Sequence, residues 1–151
     1  MNMIRVTKEF TFEMAHALYG HDGMCKNIHG HSYHLSVTLI GKPIANDNSP
    51  KNGMVIDFSF LKSIVIESII REFDHALVLN KNSPHKLLTE NADKSELLHN
   101  VLLVPYQPTC ENLLIDFAAR INRELLGEHK LFSLKLRETQ SSYAEWFSED
   151  N

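Results

Sequence analysis

Residues 4–16 and 29–40 alternate so regularly that they dictate the fold around them. In the first stretch Ile4, Val6, Phe10, Phe12 and Met14 share one parity, and Arg5, Thr7, Glu9 and Glu13 share the other. In the second, Tyr33, Leu35, Val37 and Leu39 alternate with Ser32, His34, Ser36 and Thr38. A side-chain period of two marks a strand with one apolar and one wet face. Two such strands in succession predict an antiparallel hairpin, with the end of the first beside the start of the second. The connection, residues 17–28, is longer than a tight hairpin needs. It carries Gly20, Gly23 and Cys25, so it can fold over the strand ends.

The same alternation sorts the histidines, of which the chain has nine. His16, His29 and His31 fall on the apolar parity, and His34 on the other. The hairpin then gathers three imidazoles on one face at one end. Neutral imidazoles suit zinc, and three of them leave a fourth tetrahedral position open for catalysis. Each histidine alone would read as an ordinary satisfied residue; their convergence favours a metal site. Cys25 can supply a fourth ligand, which would close the site and make it structural. It can instead stand beside the ion as a thiolate base. Cys110, in the first turn of a predicted helix, has no metal-like neighbours and reads as a small buried apolar residue.

The rest of the chain supplies cover for the sheet. Asp57 is a predicted N-cap for a helix to about Phe73, with Leu61, Val65, Ile69 and Phe73 on one stripe. "DHALVLN" reads as extended, and residues 81–108 as a polar excursion containing Pro84, Pro105 and Pro108. Thr109 caps a second helix with the stripe Leu114, Phe117, Ala118, Ile121 and Leu125, ending before Gly127. A last strand is predicted from about Leu131 to Glu138, with Phe132, Leu134 and Leu136 on one parity. This order predicts one α+β domain over residues 1–151, an antiparallel sheet with two helices on one face.

Two carboxylates break the pattern of their elements. Glu138 continues the apolar parity of the last strand. Glu111 falls on the inward stripe of the second helix, three residues before Leu114, although an acid also suits a helix N-terminus. An inward carboxylate destabilises unless something pairs with it. Asp74 directly precedes His75, and a carboxylate beside an imidazole can orient it for acid–base work.

Composition excludes several classes. Fifteen Lys and Arg against nineteen Asp and Glu leave a net charge of −4, no footprint for nucleic acid. The run "LKSIVIESII" carries Lys62 and Glu67 and is too short to span a bilayer. The first residues lack the apolar core of a secretory signal, and two cysteines then point to the reducing cytoplasm.

Together, "FTFEMAHAL", "CKNIHGHSYHLSV", "GMVIDFSFLK", "FDHALVLN", "PTCENL" and "LKLRET" resemble the 6-pyruvoyl-tetrahydropterin synthase superfamily. Three residues separate Cys25 from His29, a spacing that resembles the branch making 6-carboxytetrahydropterin. The resemblance implies the tunnelling fold, a four-stranded antiparallel sheet with two helices, assembled as a homohexamer (a dimer of trimers) with intersubunit active sites. It implies Zn²⁺ on His16, His29 and His31, and Cys25 as a base rather than a ligand. It also implies proton transfer by Asp74 and His75, the pair coming from a neighbouring subunit, and pterin binding by Glu138 and Glu111. The implied reaction converts 7,8-dihydroneopterin triphosphate to 6-carboxy-5,6,7,8-tetrahydropterin, acetaldehyde and triphosphate, for queuosine and related deazapurines. The alternatives are triphosphate elimination alone, as in the pyruvoyl branch, and a non-catalytic zinc module closed by Cys25.

Overall fold

The structure, a computed structural model, describes residues 2–94 and 96–151. Its spine is the hairpin of β1 (Ile4–His16) and β2 (His29–Gly41), paired antiparallel along their whole length from Ile4↔Gly41 to His16↔His29. Burial follows the alternation. Phe12, Met14, Tyr33, Leu35, Val37 and Leu39 are buried, while Thr11, Glu13, Ser32 and His34 are exposed.

Helix α1 begins at Asp57, whose carboxylate accepts from Ser59 N at 2.8 Å. It runs as an α-helix over Phe58–Val65, passes through a π-helical turn at Ile66–Ile70 and ends with Arg71–Phe73. Helix α2 (Cys110–Glu124) is capped by Thr109, which accepts from Asn112 N at 3.3 Å. Both helices cover the apolar face of the sheet. Phe117 of α2 meets Phe73 of α1 edge-on at 4.9 Å and Phe12 of β1 at 6.2 Å, so one ring ties three elements together. Arg120 of α2 donates to Ser68 O inside the π-helical turn at 3.2 Å and pairs with Glu72 and Asp116.

Among the described residues the sheet has six strands where four are expected, and it is mixed rather than purely antiparallel. Its order is β4-β3-β1-β2-β5-β6. β3 (Ala76–Asn80) pairs parallel with the end of β1, and β4 (Val101–Val104) pairs parallel with β3. A connection of helix length permits the parallel pairing that a tight turn forbids. β5 (Lys130–Arg137) pairs antiparallel with β2, and β6 (Tyr143–Phe147) with β5.

The β5 register also departs from simple alternation. Thr38 faces Ser133 but Leu39 faces Leu131, so Phe132 is the extra residue of a bulge. Leu131, Leu134 and Leu136 are buried instead of Phe132, which lies under Arg5 and against Phe147. Glu138 follows β5 and still falls on the parity of Leu134 and Leu136.

Candidate metal and substrate site

The full-length pairing of β1 with β2 brings His16 directly opposite His29, with His31 two residues along on the same face. One ring nitrogen from each lies within 4.8 Å of the others. The rings meet edge to face or tilted, with centroids 4.5 Å (His16–His29), 5.0 Å (His29–His31) and 5.3 Å (His16–His31) apart.

Hydrogen bonds decide which nitrogens face inward. His16 Nδ1 is 2.7 Å from Pro108 O, and His29 Nδ1 is 2.8 Å from Asn27 O. A carbonyl oxygen can only accept, so both Nδ1 atoms carry the proton. In the neutral rings both Nε2 atoms are then bare lone pairs, and they lie 3.1 Å apart. His31 Nε2 is buried with no hydrogen-bond partner among the described residues. Bare acceptors gathered in one place repel one another unless a cation sits among them. Three nitrogens on a tetrahedral zinc would stand about 3.3 Å apart, given Zn–N bonds of ~2.0–2.1 Å. The residues therefore fit a metal ion.

Burial reinforces the neutral state. His16 is 2 % exposed, and desolvation pushes its pKa below the usual histidine value, opposed by its carbonyl partner and by Glu138. Desolvation does the same at His31. A ring that resists protonation keeps its lone pair available to a metal.

Glu138 stands beside this group. Its Oε1 is 3.5 Å from His16 Nε2 and 3.7 Å from His31 Nε2. It also accepts a hydrogen bond from the Tyr33 hydroxyl at 3.0 Å. The inward carboxylate thus has a partner within its own chain, which the sequence did not suggest. Tyr33 is the residue that sequence reasoning missed. Its signal was present: it shares the parity of His29 and His31 and lies two residues past the second.

Cys25 sits in a 3-10 turn, Met24–Lys26, and its carbonyl accepts from Leu18 N at 2.9 Å. That bond folds the connection back over the strand ends. Cys25 is half-buried and is not one of the three grouped ligands. Both cysteines are free thiols. Cys110 is buried, donates to Leu136 O at 3.3 Å, and burial pushes its thiol up to about 12.

Asp74 and His75 lie between α1 and β3. His75 Nδ1 is 3.0 Å from Asp74 Oδ1. The pair is fastened to β1 at one residue, with Glu13 N donating to Asp74 Oδ1 at 2.9 Å and His75 N donating to Glu13 O at 2.6 Å. His75 has φ 61°, the left-handed region that non-glycine residues seldom occupy. It lines a cavity of about 700 Å³ together with His31, Glu13 and Leu98.

Glu111 differs from expectation. Leu114 and Ala118 on its stripe are buried, but Glu111 itself is exposed. It lines a cleft with Leu114, Trp146 and Asp150. The histidine group and Glu138 are brought together; Glu111 lines a different part of the surface.

A family model described as 6-pyruvoyl tetrahydropterin synthase matches residues 5–149. The 6-carboxy-5,6,7,8-tetrahydropterin synthase of Haemophilus influenzae is 35% identical over 145 residues, spanning 95% of this chain and 99% of that protein. The Aquifex aeolicus protein of the same name is 32% identical over 165 residues, spanning 95% and 98%. Among solved structures, an uncharacterised protein from Wolinella succinogenes superposes with a TM-score of 0.74 at 22% identity, covering 98% of this chain and 99% of that one. The 6-pyruvoyl tetrahydropterin synthase of Caenorhabditis elegans gives 0.69 at 21% identity, covering 98% and 97%. At such identities the structures speak for the fold alone.

Proposed function

This chain belongs to the 6-pyruvoyl tetrahydropterin synthase family, and we propose that it converts 7,8-dihydroneopterin triphosphate to 6-carboxy-5,6,7,8-tetrahydropterin, acetaldehyde and triphosphate. The observation that carries the reading is the trio of inward nitrogens beside a carboxylate, in a chain whose full-length relatives bear that enzyme's name.

His16, His29 and His31 would hold zinc, which supplies Lewis acidity to the hydroxyls of the substrate side chain. Pro108 O and Asn27 O keep two of those rings in the tautomer that leaves Nε2 bare. Cys25 would take a proton from one face of the side chain, as a base outside the ligand set. His75, oriented by Asp74, would move a proton on the other face. Glu138 would accept hydrogen bonds from the amino and ring N–H groups of the pterin.

His75 is 76 % exposed, too open for a proton carrier that must work out of bulk water. That supports a site completed between subunits of a homohexamer. Glu111, exposed on its helix, would likewise meet substrate only across such a boundary. Free thiols agree with a cytoplasmic enzyme, and among the described residues no helix is long and apolar enough to cross a membrane. The product's use in making queuosine and related deazapurines follows from the carboxy branch.

The test is product mass. Zinc-loaded protein given 7,8-dihydroneopterin triphosphate should release triphosphate and acetaldehyde and leave the 6-carboxy product. Triphosphate with a pyruvoyl pterin would assign the chain to the other branch, and no consumption at all would sink the enzymatic reading.

A further inference from the structure

Tyr33 has 0 % exposure, yet it carries a hydroxyl into the core. Its ring stacks on Phe12 at 5.2 Å and stands edge-on to His31 at 5.5 Å and His16 at 6.2 Å. For packing alone, phenylalanine would fill this place without burying a polar atom. The hydroxyl therefore points to its acceptor, Oε1 of Glu138 at 3.0 Å.

Glu138 needs such a restraint. It lies just past the end of β5, in the turn where its backbone N donates to Ser142 O at 3.1 Å. A strand-end glutamate has three side-chain torsions to choose from. Here it stands 3.5 and 3.7 Å from two Nε2 atoms that face inward for a metal. The oxygen at that distance is Oε1, the same atom that Tyr33 engages, so the bond fixes which carboxylate oxygen faces the histidines. The bond from Tyr33 engages one oxygen and leaves the other for incoming donors.

We propose that Tyr33 is a positioning residue of the substrate site, holding Oε1 of Glu138 so that the second carboxylate oxygen is presented to the N–H donors of the pterin. The idea rests on the reading of Glu138 as the pterin's acceptor. It adds a buried residue, fixed by the hairpin, that sets where the acceptor sits.

A double-mutant cycle tests it, with 7,8-dihydroneopterin as probe and its Kd read by fluorescence on zinc-loaded protein. Tyr33→Phe should keep one metal per chain and a native circular dichroism spectrum while weakening the probe about tenfold, the loss expected for a hydrogen bond acting on a charged acceptor. If Tyr33→Phe misfolds, 4-fluorophenylalanine at position 33 fills the hydroxyl's volume without its donor and serves in its place. In a Glu138→Ala background the same change should leave Kd within about twofold, because the group it acts through is gone. 4-Aminophenylalanine, which restores a donor, should recover binding. Equal weakening in both backgrounds, or an unchanged Kd in the single variant, would overturn the positioning role. Failure of the unaltered protein to bind the probe would instead overturn the pterin reading beneath it.

Discussion

His16 reaches a carbonyl in the interior and is 2 % exposed, whereas His75 reaches a carboxylate in the open and is 76 % exposed. The first ring is fixed by a pair of 13-residue strands in continuous register. The second hangs on one left-handed residue between a helix and a strand. A carbonyl partner fixes one tautomer and leaves Nε2 as a lone pair, which suits a ligand. A carboxylate partner at an exposed ring orients a group that exchanges protons with something outside. On the proposed reading, metal holding and proton transfer would each have its own scaffold, one buried, the other tethered to Glu13 at the surface.

The sharpest way to break that contrast is to remove a ligand. His16→Ala should abolish stoichiometric metal binding and with it turnover, while His34→Ala, on the exposed face, should leave both intact. Metal analysis of dialysed protein decides it. Retained metal in the His16 variant would mean that the three inward nitrogens are not the binding group. Cys25→Ala should keep the metal and lose ~10²–10⁴-fold in turnover, the usual contribution of a general base. Loss of metal in that variant would restore the closed, structural site.

The exposed half of the comparison is tested by mixing chains. Cys25→Ala and His75→Ala should each be nearly inactive, and co-refolded oligomers of the two should regain part of the activity. If subunit exchange is demonstrated and no activity returns, all the proton-transfer groups belong to one chain.

A smaller effect separates the buried ring by pH. Desolvation lowers the pKa of His16, and of His31, in the folded state. In the metal-free protein the unfolded chain therefore takes up protons near the ordinary value of ~6.5 that the folded chain refuses. Stability should be full above that value and fall as pH drops toward the lowered folded pKa. The slope should be at most about 1.4 kcal/mol per pH unit for His16, with a smaller addition from His31. Urea unfolding of stripped protein at pH 7.5 and 5.5 measures this. His16→Phe should flatten the curve, and a curve unchanged by that substitution would place the titration elsewhere.

Where the comparison was legible in sequence follows from range. The period of two in residues 4–16 and 29–40 fixes which face each histidine takes, and one hairpin connection fixes which ends meet. Caps at Asp57 and Thr109 are equally local. What was not legible depends on distant partners. β4, hidden in the polar excursion 81–108, exists because Val101–Val104 finds β3 in parallel register, and no local pattern encodes that. β6 lies past the last strand that alternation predicts. The bulge at Phe132 is set by pairing with β2, so parity counted along β5 alone misassigns Phe132 and misses Leu131. Glu111 falls on the stripe counted along the helix, but its side chain is exposed, and in that first turn Cys110 is the buried residue. Tyr33 shares the apolar parity and is core; that its hydroxyl meets Glu138 depends on the fold, which brings together residues 105 positions apart.

The smallest expected effect comes from the two thiols, which separate function from packing within one residue type. Cys110 is buried under the first turn of α2, and its Sγ–H reaches Leu136 O at 3.3 Å, near the strand end that carries Glu138. It offers packing and weak hydrogen bonds, with its pKa pushed up to about 12 by burial, so it stays a thiol at neutral pH. Cys110→Ala removes one small apolar group and those weak bonds, which should lower stability by about 1 kcal/mol and leave turnover within about twofold. Cys25 is half-buried in a loop turn and should behave in the opposite way, losing turnover with little change in stability. Thermal unfolding and steady-state rates on the two alanine variants test the separation. A large rate loss at Cys110 would mean that the β5 end transmits packing to Glu138, and that the carboxylate depends on the helix beneath it as well as on Tyr33.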